Sequence, residues 1–149
     1  LWNIDQDTDM ITPVSRSYYP WSFPFARDRA ADQYFEYAIP ASSPRTVRFT
    51  YTVPAKKFQV LRSVVLKVPR TGTALNVILE TTLQRPACPE TTVLSTGSTT
   101  DGPVGAWRYV TAEYNAPLPP GSTIRFYTQN TGTGVFNTAL SLLIDEIDL

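Results

Sequence analysis

An all-β domain is what this sequence predicts: an antiparallel β-sandwich, an eight-stranded jelly roll, preceded by an extended N-terminal arm. Three observations carry that reading. Thr and Ser are abundant and the 13 prolines outnumber the 7 glycines, a composition that suits pleated surfaces broken by stiff turns. Several segments alternate apolar and polar residues with a period of two, the mark of a sheet with one wet face. Strand-length segments recur along the chain with turn signals between them, as in two packed antiparallel sheets.

The elements follow in order. Residues 1–33 show no sustained periodicity, and Pro13, Pro20 and Pro24 break any helix that starts there. Arg27–Gln33 can hold one or two helical turns. Tyr34–Ile39 is a short strand, closed by Pro40 and Pro44. In Thr46–Val53 the side chains of Val47, Phe49, Tyr51 and Val53 alternate with Arg48, Thr50 and Thr52. Pro54–Lys57 turns the chain into Phe58–Val68, where Val60, Val64, Leu66 and Val68 share a face with Arg62. Ala74–Leu83 and Thr91–Ser95 come next, then a Gly/Ser/Thr-rich loop. Trp107–Tyr114 and Ser122–Asn130 alternate again, joined by the stiff Ala116–Gly121 connection. Ala139–Leu149 closes the chain. Its Leu140, Leu143, Ile144 and Ile147 also suit a helix, but the final strand of a sandwich often runs through its middle, which favours β. The division expected is an arm with one short strand over residues 1–44 and a sandwich over residues 45–149.

Composition removes whole classes of chemistry. The chain contains no histidine, so Ser-His-Asp and Cys-His arrangements are impossible. The His-rich metal sites of cupin-like enzymes are excluded with them. Glu36, Glu80 and Glu113 fall on three different strands, and nothing in their local sequence marks a glycosidase pair. Cys88, the single cysteine, lies between prolines and has no histidine to activate it. Asp5, Asp7 and Asp9 have the spacing that opens a calcium loop, but Met10 and Arg16 stand where glycine and glutamate are needed. No enzyme, metal or cofactor is expected. Net charge is zero and no basic run exceeds the pair Lys56–Lys57, which argues against a nucleic-acid partner. No apolar run reaches membrane-spanning length. The chain opens on Leu1 rather than Met, so a processed leader stays open.

The arm carries the densest apolar surface. Tyr18, Tyr19, Trp21, Phe23 and Phe25 crowd into eight positions with two prolines. Burying five rings gains about as much as ordering the arm costs. Such a segment orders best in grooves between subunits, and left in water it invites aggregation. These five residues are the expected partner-binding anchors, on a neighbouring subunit in preference to a lid on the same chain.

Two runs resemble known proteins. FTYTVPAKKFQVLRSVVLKV, Phe49–Val68, is similar to a recurring phrase in virion proteins of tailed bacteriophages, in which a strand ends in Val-Pro-Ala, a short turn follows and an aromatic opens a long second strand. Lys56 stands where that phrase has glycine. LPPGSTIRFYTQNTGTG, Leu118–Gly134, resembles a later strand of the same β-sandwiches, which serve as capsid decoration (cement) proteins and occur in fibres. The likeness spans roughly residues 45–149. It implies a homotrimer on the capsid exterior, bound to the major capsid protein, with arms reaching adjacent subunits.

Three rivals remain open. A carbohydrate- or receptor-binding module of a fibre would display an exposed aromatic platform, for which Trp107, Tyr109 and Tyr127 are the candidates, although aromatic residues on strands more often fill the core. A small virus coat protein would carry a basic arm, whereas Arg16, Arg27 and Arg29 here face five Asp in residues 1–44. A trimeric ligand of the tumour-necrosis-factor type fits the length and the fold.

Overall fold

The computed structural model describes residues 26–147, with side chains from Tyr34 onward. Eight strands occur: β1 (Ala26–Ile39), β2 (Ser43–Thr52), β3 (Phe58–Pro69), β4 (Val77–Gln84), β5 (Thr91–Gly97), β6 (Trp107–Leu118), β7 (Thr123–Asn130) and β8 (Phe136–Ile147). They form two four-stranded antiparallel sheets, ordered β1-β8-β3-β6 and β2-β7-β4-β5. Consecutive strands mostly alternate between the sheets, which is the double Greek-key path of a jelly roll.

The core lies between the sheets. From the first sheet come Leu61, Val64, Leu66, Val68, Leu140, Leu142 and Ile144; from the second come Val77, Leu79, Leu83, Ile124 and Phe126. Period-two alternation along β7 shows the cause: Ile124, Phe126, Thr128 and Asn130 are buried while Arg125, Tyr127 and Gln129 lie on the wet side. The ambiguous C-terminal segment is a central strand, with β1 on one side and β3 on the other.

Several expectations are corrected. Arg27–Gln33 is strand, not helical turns, because β1 pairs with β8 from Ala26 through Ile39; cross-strand hydrogen bonds override the local preference. The sandwich therefore takes in residues 26–44 and does not begin at Arg45. A register shift between Val47 and Phe49 breaks the alternation expected in β2. Val47 pairs with Tyr127 and is 44% exposed, while Phe49 and Tyr51 pack against the core. A second shift, between Leu61 and Ser63, splits β3. Leu61 joins Val64, Leu66 and Val68 in the cluster between the sheets, Val60 is fully buried but lies outside that cluster, and Arg62 is the bulged residue.

The turn phrases carry their own geometry. Lys56 has φ 66° in the Pro54–Lys57 turn, where Lys57 N–H donates to Pro54 C=O at 3.2 Å. A left-handed residue is needed there, which is the physical reason for glycine at that position in the resembling phrase. Gly121 follows Pro120 with φ 85°, and Ser122 N–H closes that turn on Pro119 C=O.

Candidate functional site

The two outward sheet faces differ in chemistry. On the β2-β7-β4-β5 sheet the charged groups answer one another. Arg45 donates twice to Glu80 Oε1, at 2.9 and 3.0 Å, and its guanidinium lies 3.6 Å from the centre of the Tyr127 ring. The other Glu80 oxygen accepts from Thr92. Tyr127 and Thr82 hydroxyls both donate to Glu90, and Arg125 sits 3.6 Å from the same carboxylate while donating to Gln84. These hydrogen bonds, with the positive charges of Arg125 and Arg45, hold the Glu90 carboxyl below the usual carboxylate range. Burial, and then the hydrogen bond to Glu90 and its charge, in turn push the Tyr127 phenol up.

A pH dependence follows. A carboxyl whose folded pKa is depressed contributes stability above its unfolded pKa and loses it as pH falls through the folded value. Thermal melts across the acidic range should therefore show a shallower loss of stability for Glu90→Gln than for the parent chain. Identical acid slopes would remove Glu90 from the network.

The β1-β8-β3-β6 sheet presents a different surface. Paired residues share a face, so Glu36, Ala139, Lys67 and Tyr109 form one row across all four strands. Tyr34, Ser141, Val65 and Thr111 form the next row, and Trp107 pairs with Pro69 at the end. Tyr34, Trp107 and Tyr109 are 51%, 50% and 58% exposed. Small residues, Ala139 and Ser141, floor the space between Tyr34 and Tyr109. Partial burial, a 3.0 Å hydrogen bond to Glu36 and the field of Tyr109 all raise the Tyr34 phenol. Lys67 Nζ lies 4.6 Å from the centre of the Trp107 ring and steadies that indole.

Tyr18, Tyr19, Trp21, Phe23 and Phe25 lie outside the described residues, as do Asp5, Asp7 and Asp9. Trp107 and Tyr109 are exposed instead of filling the core, because odd-numbered residues of β6 face outward on an edge strand. Tyr127 is on the opposite outer face, so the three do not make one platform. Tyr34 takes the third place. Its alternation with Phe35 and the neighbouring strand signal could have found it, once the outward face was known.

The three carboxylates are dispersed. Glu80 is on one outer face, and Glu36 and Glu113 are on the other, on strands β1 and β6 at its two edges. Three strand spacings put Glu36 about 14 Å from β6, at the level of Tyr109, and Glu113 lies four residues further along. Neither glycosidase separation, about 5–5.5 Å or about 6.5–9.5 Å, is approached. Cys88 is exposed in its loop. Among the described residues no three His, Cys, Asp or Glu side chains gather as a metal site, and no helix is long and apolar enough to cross a membrane.

No family model matches the chain, and no curated protein matches it. Solved structures similar to it include that of infectious bursal disease virus Gt strain, at 14% identity and a TM-score of 0.36, covering 80% of this chain. The chain spans only 30% of that one's length. The Yersinia pseudotuberculosis-derived mitogen is similar at 10% identity and a TM-score of 0.38, over 76% of this chain and 86% of its own. The EclA C-terminal domain, a sugar-binding protein, is similar at 10% identity and a TM-score of 0.37, over 87% and 89%. A virus structure and a sugar-binding protein thus both stand among the structures it is similar to.

Proposed function

We propose that the chain is a structural virion protein that decorates and stabilises a phage capsid by bridging neighbouring coat subunits, as a homotrimer on the capsid exterior. One observation carries the reading most: one sheet face displays Tyr34, Trp107 and Tyr109 at half exposure or more, while the charged groups of the other face are tied to one another. That is the surface of a binding protein. Jelly rolls serve as capsid and lectin domains alike, and a fold does not by itself fix function. The Val-Pro-Ala turn with its left-handed Lys56 and the aromatic arm add support for the capsid reading.

The test is occupancy on capsids. Trp21→Ala should lower the number of copies bound per capsid without unfolding the isolated protein. Unchanged occupancy counts against the arm as the staple. The second reading, a glycan-binding module, is favoured by the same exposed rings, since a sugar can stack on Trp107 with Lys67 as a donor beside it.

A further inference from the structure

The four free strand edges are not alike. A sheet edge offers unpaired N–H and C=O groups, and proteins blunt it with bulges, charges, proline or short length. Among the described residues, the edge strand β1 pairs with register shifts at Ala26/Asp28 and Arg29/Ala31. The edge strand β2 has shifts at Ser43/Thr46 and Val47/Phe49, with Pro44 and Arg45 inside the first. The edge strand β5 is only 7 residues long and shifts opposite Thr81/Thr82. By contrast β6 runs in unbroken register from Trp107 through Glu113 against Pro69 through Ser63, with no proline before Pro117. Beside this edge stand the exposed rings of Trp107 and Tyr109; at its start the Trp107 C=O already accepts from Arg70, at 2.7 Å, a side chain that an added strand would displace.

The arm has the complementary pattern. Tyr19, Trp21, Phe23 and Phe25 alternate with Pro20, Ser22 and Pro24. In an extended strand the four rings would share one face. Backbone groups also alternate between the two edges of a strand. Pro20 and Pro24 are four apart, so both missing N–H groups fall on the same edge, and residues 19, 21, 23 and 25 keep an intact row of donors on the other. This is how proline is accommodated in an edge strand, with its side turned to solvent.

Reach decides whose edge it meets. Ala26 is level with Ile147 and Phe58, whereas Trp107 is level with Pro69. Eleven residues along β3 and three strand spacings across put Trp107 about 39 Å from Ala26. Trp21 precedes Ala26 by five residues and extends at most about 18 Å from it. Within one copy, Trp21, Phe23 and Phe25 cannot reach Trp107.

We infer that the free edge of β6 receives residues Tyr19–Phe25 of a second copy as an added strand, with their rings on the Trp107–Tyr109 face. This rests on the assembly reading and deepens it. The arm leaves the β1 side of the sheet and is received at its β6 side, a head-to-tail contact that closes into a ring in a cyclic homotrimer.

Parity is the test, made in the full chain and read as solution mass by light scattering over a concentration series. One alanine inserted between Trp21 and Ser22 throws Phe23 and Phe25 onto the opposite face; two alanines restore the pattern. The single insertion should weaken self-association about tenfold, the loss of two cross-strand aromatic pairs, and the double insertion should recover it. Equal effects, or none, overturn the inference. In a Cys88→Ser background, a short bismaleimide should join Ser22→Cys on one copy to Thr111→Cys on another when the two variants are mixed. It should not join Ser22→Cys to Thr50→Cys on the other sheet. Crosslinks confined to single chains carrying both cysteines would overturn it, as would neutral oligosaccharides quenching Trp107 in a chain that does not self-associate. Capsid occupancy that depends on Trp21 without any β6 crosslink would sink this inference and leave the decoration reading standing.

Discussion

Phe126→Ala is expected to cost about 3–5 kcal/mol of folding stability, a large part of the roughly 5–15 kcal/mol typical of a domain. Phe126 is 0% exposed and is among the largest fully buried side chains. It sits on β7, a central strand of its sheet, paired with Phe49 on one side and Thr81 on the other. Its ring lies 5.6 Å from that of Tyr37, which comes from the opposite sheet. Removing it opens a void where strands of both layers meet, and the hydrogen-bonded sheets cannot collapse to fill it. Tyr127→Ala, one residue along on the outer face, serves as the control and should cost far less. Urea melts compare the two; a loss under about 1 kcal/mol at Phe126 would mean that the core is not where the alternation of β7 puts it.

Arg62→Ala is expected to cost about 3 kcal/mol. Arg62 Nε donates to Asp145 Oδ2 at 2.9 Å, and the two side chains are only 16% and 12% exposed. The same guanidinium donates to Asn115 on β6, so one bulged residue on β3 joins both neighbouring strands. Truncating it removes from the Asp145 carboxylate, in a poorly hydrated place, one of its charged partners, and from Asn115 a donor. The Lys57–Glu146 pair, at 3.3 Å with Lys57 half exposed, gives the contrast: Lys57→Ala should change stability by less than about 1 kcal/mol. Equal losses at the two sites would show that burial does not set the strength of these ion pairs.

Much of the sandwich was legible because its strands alternate. The wet and dry sides of β7 can be read directly from Thr123–Asn130, and the long apolar run of β3 marks a central strand. What was not legible came from pairing. Nothing in the letters around Arg48 or Arg62 announces a bulge, yet the first moves Val47 to solvent and the second leaves Val60 outside the inter-sheet cluster, although it stays fully buried. Arg27–Gln33 has local helical character, and only the partner strand β8, more than 100 residues away in sequence, makes it β. Trp107 and Tyr109 were expected in the core because aromatic residues on strands usually are. Their exposure depends on β6 being an edge with its odd residues outward, which is a property of topology and not of local sequence. The five arm anchors were legible as an apolar cluster. Their alternation takes on meaning only beside an edge that can receive it.

The central claim is that this chain works by assembly, with the aromatic arm as the joint. Solution mass by size-exclusion light scattering tests it most directly, on the full chain and on the chain with Trp21, Phe23 and Phe25 all replaced by alanine. A three-chain mass for the first and a one-chain mass for the second, with the variant still folded and melting cooperatively, is the expected result. A single-chain mass for both would contradict the account and turn attention to Trp107 as a sugar-binding ring.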